Sequence, residues 1–292
     1  MRYLAAVILL VALGCENGTS PVQPTPSEPV APTPPPPLVF SLSGSVQDTA
    51  SRPLAGARVE IVAGDRAGTF ETSDRTGRFR MPGTFTGTVT IAASKDGYHQ
   101  ESMTLPHPQM MRRLPSPPEN LNLWTNLSLQ PDAPVANIAG EYTLTITADR
   151  SCSALPDEVR TRTYRATIAA TGRPTAFQGR LSDARFIAES SCVGPWPELC
   201  LRNYFSIGMA GDFANFATSI LEQLSDTIYL LIEGEVSAPF GPSGISAPLN
   251  AQFIYCPVRP LFNGDYWTCP ADADATGVEC NSAKHQVTLM QR

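Results

Sequence analysis

Charge is scarce in this chain of 292 residues: Asp, Glu, Lys and Arg together make up 16%, and there are three histidines. With a net charge of −6 and a pI near 5.1, it has no basic footprint for nucleic acid or for an anionic membrane surface. The local pair Arg112-Arg113 is too small to change that. No Cys-x-x-Cys pair occurs, so zinc is the poorer account of the cysteines. Nucleophile-elbow, zincin, Walker and dinucleotide-binding patterns are also absent. His99, His107 and His285 are scattered, which leaves the many serines without an activating base. No catalytic residue, cofactor or metal is therefore assigned, and a non-enzymatic protein is expected. The hydrolase alternative rests on a facing pair of carboxylates or a lone His in the C-terminal half. Long apolar runs are lacking too. Leu4–Leu13 is ten residues, and a helix needs roughly 20 to cross a hydrocarbon core about 30 Å thick.

What is present at the N-terminus is a single charge, Arg2, then that short apolar run, then small residues: the pattern of a secretory signal over residues 1–14. Val11-Ala12-Leu13-Gly14-Cys15 resembles the lipobox of bacterial lipoproteins, with Ala12 where Leu is more usual. The resemblance implies a diacylglycerol on Cys15 and an address in the cell envelope, at the outer membrane, with the membrane as a partner through the lipid. The other reading is an ordinary signal peptide cut elsewhere. Cysteine arithmetic bears on the choice. Seven Cys leave an odd thiol in an oxidising compartment, whereas lipidation of Cys15 leaves an even six, which reads as disulfides. Residues 15–38 form a tether. Nine of the seventeen residues from Pro21 to Pro37 are Pro, which favours an extended polyproline II spacer of about 3 Å per residue.

Residues 39–134 alternate apolar and polar positions between turn residues, the all-β pattern. Phe40, Leu42 and Val46 share one face; Val59 and Ile61, Phe79 and Met81, and Val89, Ile91 and Ala93 follow. Leu121, Leu123, Leu127 and Leu129 supply a closing strand. The order Ser43-Gly44-Ser45-Val46, Pro53-Leu54-Ala55-Gly56-Ala57-Arg58-Val59, Asp74-Arg75-Thr76-Gly77-Arg78-Phe79 and Lys95-Asp96-Gly97-Tyr98 resembles the carboxypeptidase regulatory-like domain. That resemblance implies a transthyretin-like β-sandwich of seven strands. It carries no catalytic residues over, because its motifs are turns and core positions. The loop Pro106–Pro118, with Met110 and Met111, is longer than such sandwiches usually carry.

Residues 137–292 alternate again over longer segments: Tyr142–Ile146, Tyr164–Ile168, Phe177–Ile187, Tyr204–Phe216, Ile228–Val236, Ser246–Tyr255 and Lys284–Met290. Seven or eight such strands suggest an antiparallel β-barrel or a curved sandwich, lipocalin-like in architecture only. Thr218–Leu224 is expected to make a turn or two of helix. If the first and last strands of this domain are antiparallel neighbours, Cys152 and Cys280 fall at the same end. The favoured pairs are then Cys152–Cys280, Cys192–Cys200 and Cys256–Cys269, out of 15 connectivities. Asp265, Asp272, Asp274 and Glu279 read as a solvated acidic loop without calcium-site spacing. Trp196, Tyr266 and Trp267 are the candidate ligand-binding residues, as aromatics on stapled loops; the bland reading packs them against the disulfides. The expected function is display of two β domains that bind a polysaccharide, a peptide or an envelope protein. The structural alternative is an assembly subunit without a small ligand.

Overall fold

The computed structural model describes residues 39–105, 121–187, 202–262, 267–270 and 277–292. Period-2 patterning in the first part yields seven strands: β1 (Phe40–Asp48), β2 (Arg58–Gly64), β3 (Phe70–Thr72), β4 (Arg78–Arg80), β5 (Val89–Ser94), β6 (Glu101–Leu105) and β7 (Leu121–Leu129). They form two sheets, ordered β4-β1-β7 and β3-β2-β5-β6. The inward phase of every strand but β3, including Phe40, Leu42, Val59, Ile61, Ile91 and Leu127, makes one buried core between them. β7 lies parallel to β1, with Phe40 opposite Leu121 and Asp48 opposite Leu129. The protein is thus all-β, and its N-terminal part is the seven-strand sandwich that the resemblance implied.

The second part adds β8 (Gly140–Thr147), β9 (Thr161–Ala170), β10 (Ala176–Ser182), β11 (Asn203–Ala210), β12 (Phe213–Gln223), β13 (Tyr229–Pro239), β14 (Gly244–Cys256), β15 (Leu261–Phe262), β16 (Trp267–Thr268) and β17 (Val278–Gln291). Eight of these close into a barrel in the order β10-β11-β12-β13-β14-β17-β8-β9, so the expected choice between barrel and curved sandwich falls to the barrel. Every neighbouring pair is antiparallel, and β17 meets β8 to shut it. An eight-strand barrel is just wide enough for side chains to fill. Here Tyr164, Phe177, Phe205, Phe216, Phe253 and Leu289 do so as one buried cluster. Phe205 and Phe216 lie with ring centroids 5.0 Å apart, and Gly179 leaves the space that the Phe205 ring occupies.

Two expectations are corrected. Tyr204–Phe216 is not one strand but β11 and β12, joined at Gly211-Asp212, where Gly211 takes a positive φ of 66°. Thr218–Leu224 is not helical. All but its last residue belong to β12, in which Thr218 through Glu222 are buried in succession. Ile220 faces the barrel interior, while Leu221 joins a second apolar cluster with Leu231, Ile254 and Trp267. Burial on both faces erases the alternation by which a strand is recognised.

Sandwich and barrel lie within one compact unit, Pro37–Arg292. They meet where β1 ends. Asp48 folds the following turn on itself: its carboxylate accepts from the backbone N–H of Ala50 and Arg52, both at 2.9 Å, and from Arg52 Nε at 2.6 Å. Asp48 and Ala50 are fully buried. Thr49 Oγ1 donates to the Met209 carbonyl of β11 at 2.5 Å, and the Arg52 guanidinium lies 4.5 Å from the centre of the Phe213 ring. Gly208 on β11 faces the Thr49 carbonyl with no room for a Cβ.

Candidate functional site

The two ends of the barrel differ. At the end nearer the sandwich, strands are joined by hairpins of two to five residues: 171–175, 211–212 and 240–243. At the other end the connections are 148–160, 183–202, 224–228 and 257–277. Long loops on a rigid scaffold are where binding residues collect. Cys152, Cys256, Cys269 and Cys280 lie at this loop-bearing end.

The mouth at that end is built by three side chains reaching across the lumen. Arg162 and Tyr164, two apart on β9, point inward together, and Glu222 does so from β12, with β10 and β11 between them in the barrel wall. Arg162 Nε donates to Glu222 Oε2 at 3.0 Å, Tyr164 Oη donates to the same oxygen at 2.9 Å, and Arg162 Nη2 donates to Glu222 Oε1. Glu222 is 3% exposed. Burial, and then the Glu222 charge, push the Tyr164 phenol far above its ordinary range. Burial alone would lower the Arg162 guanidinium, but its bond to Glu222 more than offsets this and holds it raised. A cleft of about 530 Å³ opens over this crossbar, lined among others by Glu158, Arg185, Ser225, Ile228 and Tyr255. Two carboxyl groups therefore line one cleft, yet the Glu222 carboxylate has both oxygens engaged.

The loop 148–160 folds over the barrel beside this cleft. Leu155 and Val159 are buried, the latter in a short 3-10 turn, Asp157–Val159. Cys152 is bonded to Cys280 of β17, with Cα atoms 5.7 Å apart. His285 of β17 is fully buried against the Phe253 ring, and its Nδ1 accepts from the Asp149 backbone N–H at 2.9 Å. Burial lowers the His285 imidazole, only partly opposed by the Ala251 carbonyl and the Asp149 charge. Ser282 Oγ donates to Asp149 Oδ2 at 2.5 Å, and that bond, with the Ser151 N–H, holds the Asp149 carboxyl below its usual range. Ser, Asp and His thus sit together, but the hydroxyl is bonded to the carboxylate rather than to the imidazole. The arrangement fastens a loop to β17.

The candidate aromatics divide. Trp267 is 1% exposed; it lies in the cluster with Leu221, Leu231 and Ile254 on the outer barrel wall. The Cys256–Cys269 disulfide, with Cα atoms 5.8 Å apart, closes the segment that carries it. Of the two readings of Trp267, a stacking surface or packing against a disulfide, the structure has the second, because the β15–β16 hairpin covers apolar residues on the outside of β12, β13 and β14. Trp196, Tyr266, Cys192 and Cys200 lie outside the described residues, as do Cys15, Met110, Met111, Asp265, Asp272 and Asp274. Among the described residues no group of three His, Cys, Asp or Glu is placed to hold a metal ion, and no helix is long and apolar enough to cross a membrane. Sequence reasoning passed over two exposed aromatics: Phe70 of β3, whose ring the Arg58 guanidinium covers, and Trp124 of β7, which is 55% exposed. The signal of Trp124 was its phase: in Leu121–Leu129 it falls with Asn122, Asn126 and Ser128 on the polar side of the strand.

Residues 41–109 match the carboxypeptidase regulatory-like domain family. The match covers β1 through β6 and stops short of β7 and the barrel. No curated protein matches the chain.

Proposed function

We propose that this chain is a non-enzymatic lipoprotein of the cell envelope, anchored at the outer membrane through a lipid on Cys15, that displays the sandwich and the barrel for recognition of an envelope partner. Its partner is a polysaccharide, a peptide or another envelope protein, met at the loop-bearing end of the barrel. The observation that carries this reading is the asymmetry of the barrel: turns of two to five residues at one end, and at the other a cleft among connections as long as 183–202 and 257–277. The Pro-rich residues 21–37 supply the stalk, and Trp196 and Tyr266, on two of those loops, supply the aromatic contacts.

Two measurements test it. Detergent phase partition should place the wild-type protein in the detergent phase and a Cys15→Ser variant in the aqueous phase; a variant that still partitions with detergent removes the lipid anchor. Co-sedimentation of residues 37–292 with peptidoglycan sacculi should saturate and should weaken at least tenfold on Trp196→Ala or Tyr266→Ala. Binding that neither substitution changes removes the loop-bearing end as the site.

A further inference from the structure

The outer face of the β4-β1-β7 sheet presents two rows of side chains set by strand register. Arg80, Ser43 and Trp124 lie side by side across the three strands, and Arg78, Ser45 and Asn126 form the next row. Asn122 stands opposite Ser41 beyond Trp124. A groove of about 580 Å³ runs over Ser41, Ser43, Asn122, Trp124, Arg78 and Arg80, walled on its far side by Glu71, Thr72 and Asp74. Ser41 and Ser43 both donate to Asn122 Oδ1 at 3.1 Å, and Ser45 donates to Asn126 Oδ1 at 2.8 Å. Trp124 Nε1 also donates to Asn126 Oδ1, at 3.1 Å, which fixes the plane of the indole while leaving its ring open. The amide nitrogens of Asn122 and Asn126 and the guanidiniums of Arg78 and Arg80 make no hydrogen bond or ion pair among the described residues.

We infer that this groove binds a neutral polysaccharide, one sugar ring stacked on Trp124 and its neighbours hydrogen-bonded along the two rows. The site is separate from the barrel end discussed above, and the inference does not depend on it. Sugar hydroxyls each donate and accept, and the groove offers unused donors on Arg78, Arg80 and Asn122 beside acceptors on Ser43 and Glu71, with Asn126 and Ser45 in the adjoining row. The aliphatic face of a pyranose ring matches an exposed, pre-oriented indole, which loses little conformational entropy on contact. Two cations are balanced by two carboxylates, Glu71 and Asp74, so the groove favours neither a polyanion nor a polycation. A peptide added as a strand would pair along a sheet edge, β4 or β7, rather than lie across the outward-facing side chains of the groove. An apolar protein surface would find one large apolar side chain among polar ones, without the apolar centre of a stable interface.

The test is affinity electrophoresis of residues 37–292 through gels containing soluble β-glucan, xylan or galactomannan, with polygalacturonate as the anionic comparison. At least one neutral polymer should retard the protein. Trp124→Ala should reduce that affinity at least tenfold, Trp124→Phe should retain part of it, and Arg80→Gln or Asn122→Ala should reduce it a few-fold. Phe70→Ala, at an exposed aromatic of β3 that does not line the groove, should leave it unchanged. Trp124 is exposed, so circular dichroism should show each variant folded. No retardation by any neutral polymer, retardation that survives Trp124→Ala, or retardation by polygalacturonate alone that vanishes with salt overturns the inference.

Discussion

Glu222 accepts three bonds at the barrel mouth, and removing it leaves the Arg162 guanidinium and the Tyr164 hydroxyl without their acceptor. Breaking a fully buried ion pair costs about 3–5 kcal/mol, and the Arg162 side chain is 25% exposed, so Glu222→Ala should cost about 2–3 kcal/mol in urea denaturation. Replacing all three together (Arg162→Met, Tyr164→Phe, Glu222→Leu) should cost less than Glu222→Ala alone, since no polar group is then stranded. Simple additivity of the single losses would mean that the three do not act as a unit. His285 behaves differently, since burial lowers its imidazole and the unfolded chain takes up a proton where the folded chain does not. Its contribution is complete above about pH 6.5, the unfolded value, and is lost as pH falls from there toward the folded one. His285→Asn, which keeps an acceptor for the Asp149 N–H, should flatten the stability profile in that window; an unchanged slope would assign it to other groups. At this scale the sequence was legible in part. The phase of β7 already set Trp124 outward, whereas the burial of Trp267 depends on what its hairpin folds onto, which no local pattern records.

The β15–β16 hairpin consists of two residue pairs, Leu261 with Thr268 and Phe262 with Trp267. So short a hairpin is not stable by its own hydrogen bonds. Trp267, packed on Leu221, Leu231 and Ile254, and the Cys256–Cys269 disulfide hold it to the wall. Trp267→Ala should cost about 3 kcal/mol, toward the lower end for a buried aromatic because the disulfide remains. Since this cluster is distinct from the lumen core, the loss should be local. Hydrogen exchange should lose protection in 257–277 and along the outer face of β12 and β13, while β8 and β9 keep theirs. Equal loss around the whole barrel would show the two clusters to be one cooperative core. The sandwich strands were legible because each buries one face, and turns such as Asp74–Gly77 punctuate them. β12 was not, because its second half is covered on both sides, and Ile220, Leu221 and Leu224 fall at helical spacing while polar Thr218, Ser219 and Glu222 are buried.

The chain enters the sandwich at the start of β1 and touches the barrel at its end, nine residues later, so β1 spans about 30 Å at the usual rise for a strand. The barrel contacts lie on β11 and β12 near their two-residue turn, and the loop-bearing mouth is at the opposite ends of the same strands. The sandwich therefore sits between the point of chain entry and the mouth, which is the order a displayed recognition site requires. That order has a structural function only if the two parts move together, and the joint includes the Thr49 bond to Met209, Arg52 over Phe213, and the close approach of the Thr49 carbonyl to Gly208. A side chain at position 208 would force that turn away from β11 and lose the bond and the ring contact with it. Gly208 faces outward from the barrel, in the opposite phase to Phe205, Ile207 and Met209, so the lumen core is untouched by the change. Calorimetry of residues 37–292 should then show one coupled unfolding transition for the wild type and two for Gly208→Val, with the barrel transition little moved. X-ray scattering should show a larger radius of gyration for the variant. A single transition in the variant, with an unchanged radius, would mean that sandwich and barrel are held by contacts other than this turn, and that the rigidity of the display does not reside in β1 and its end.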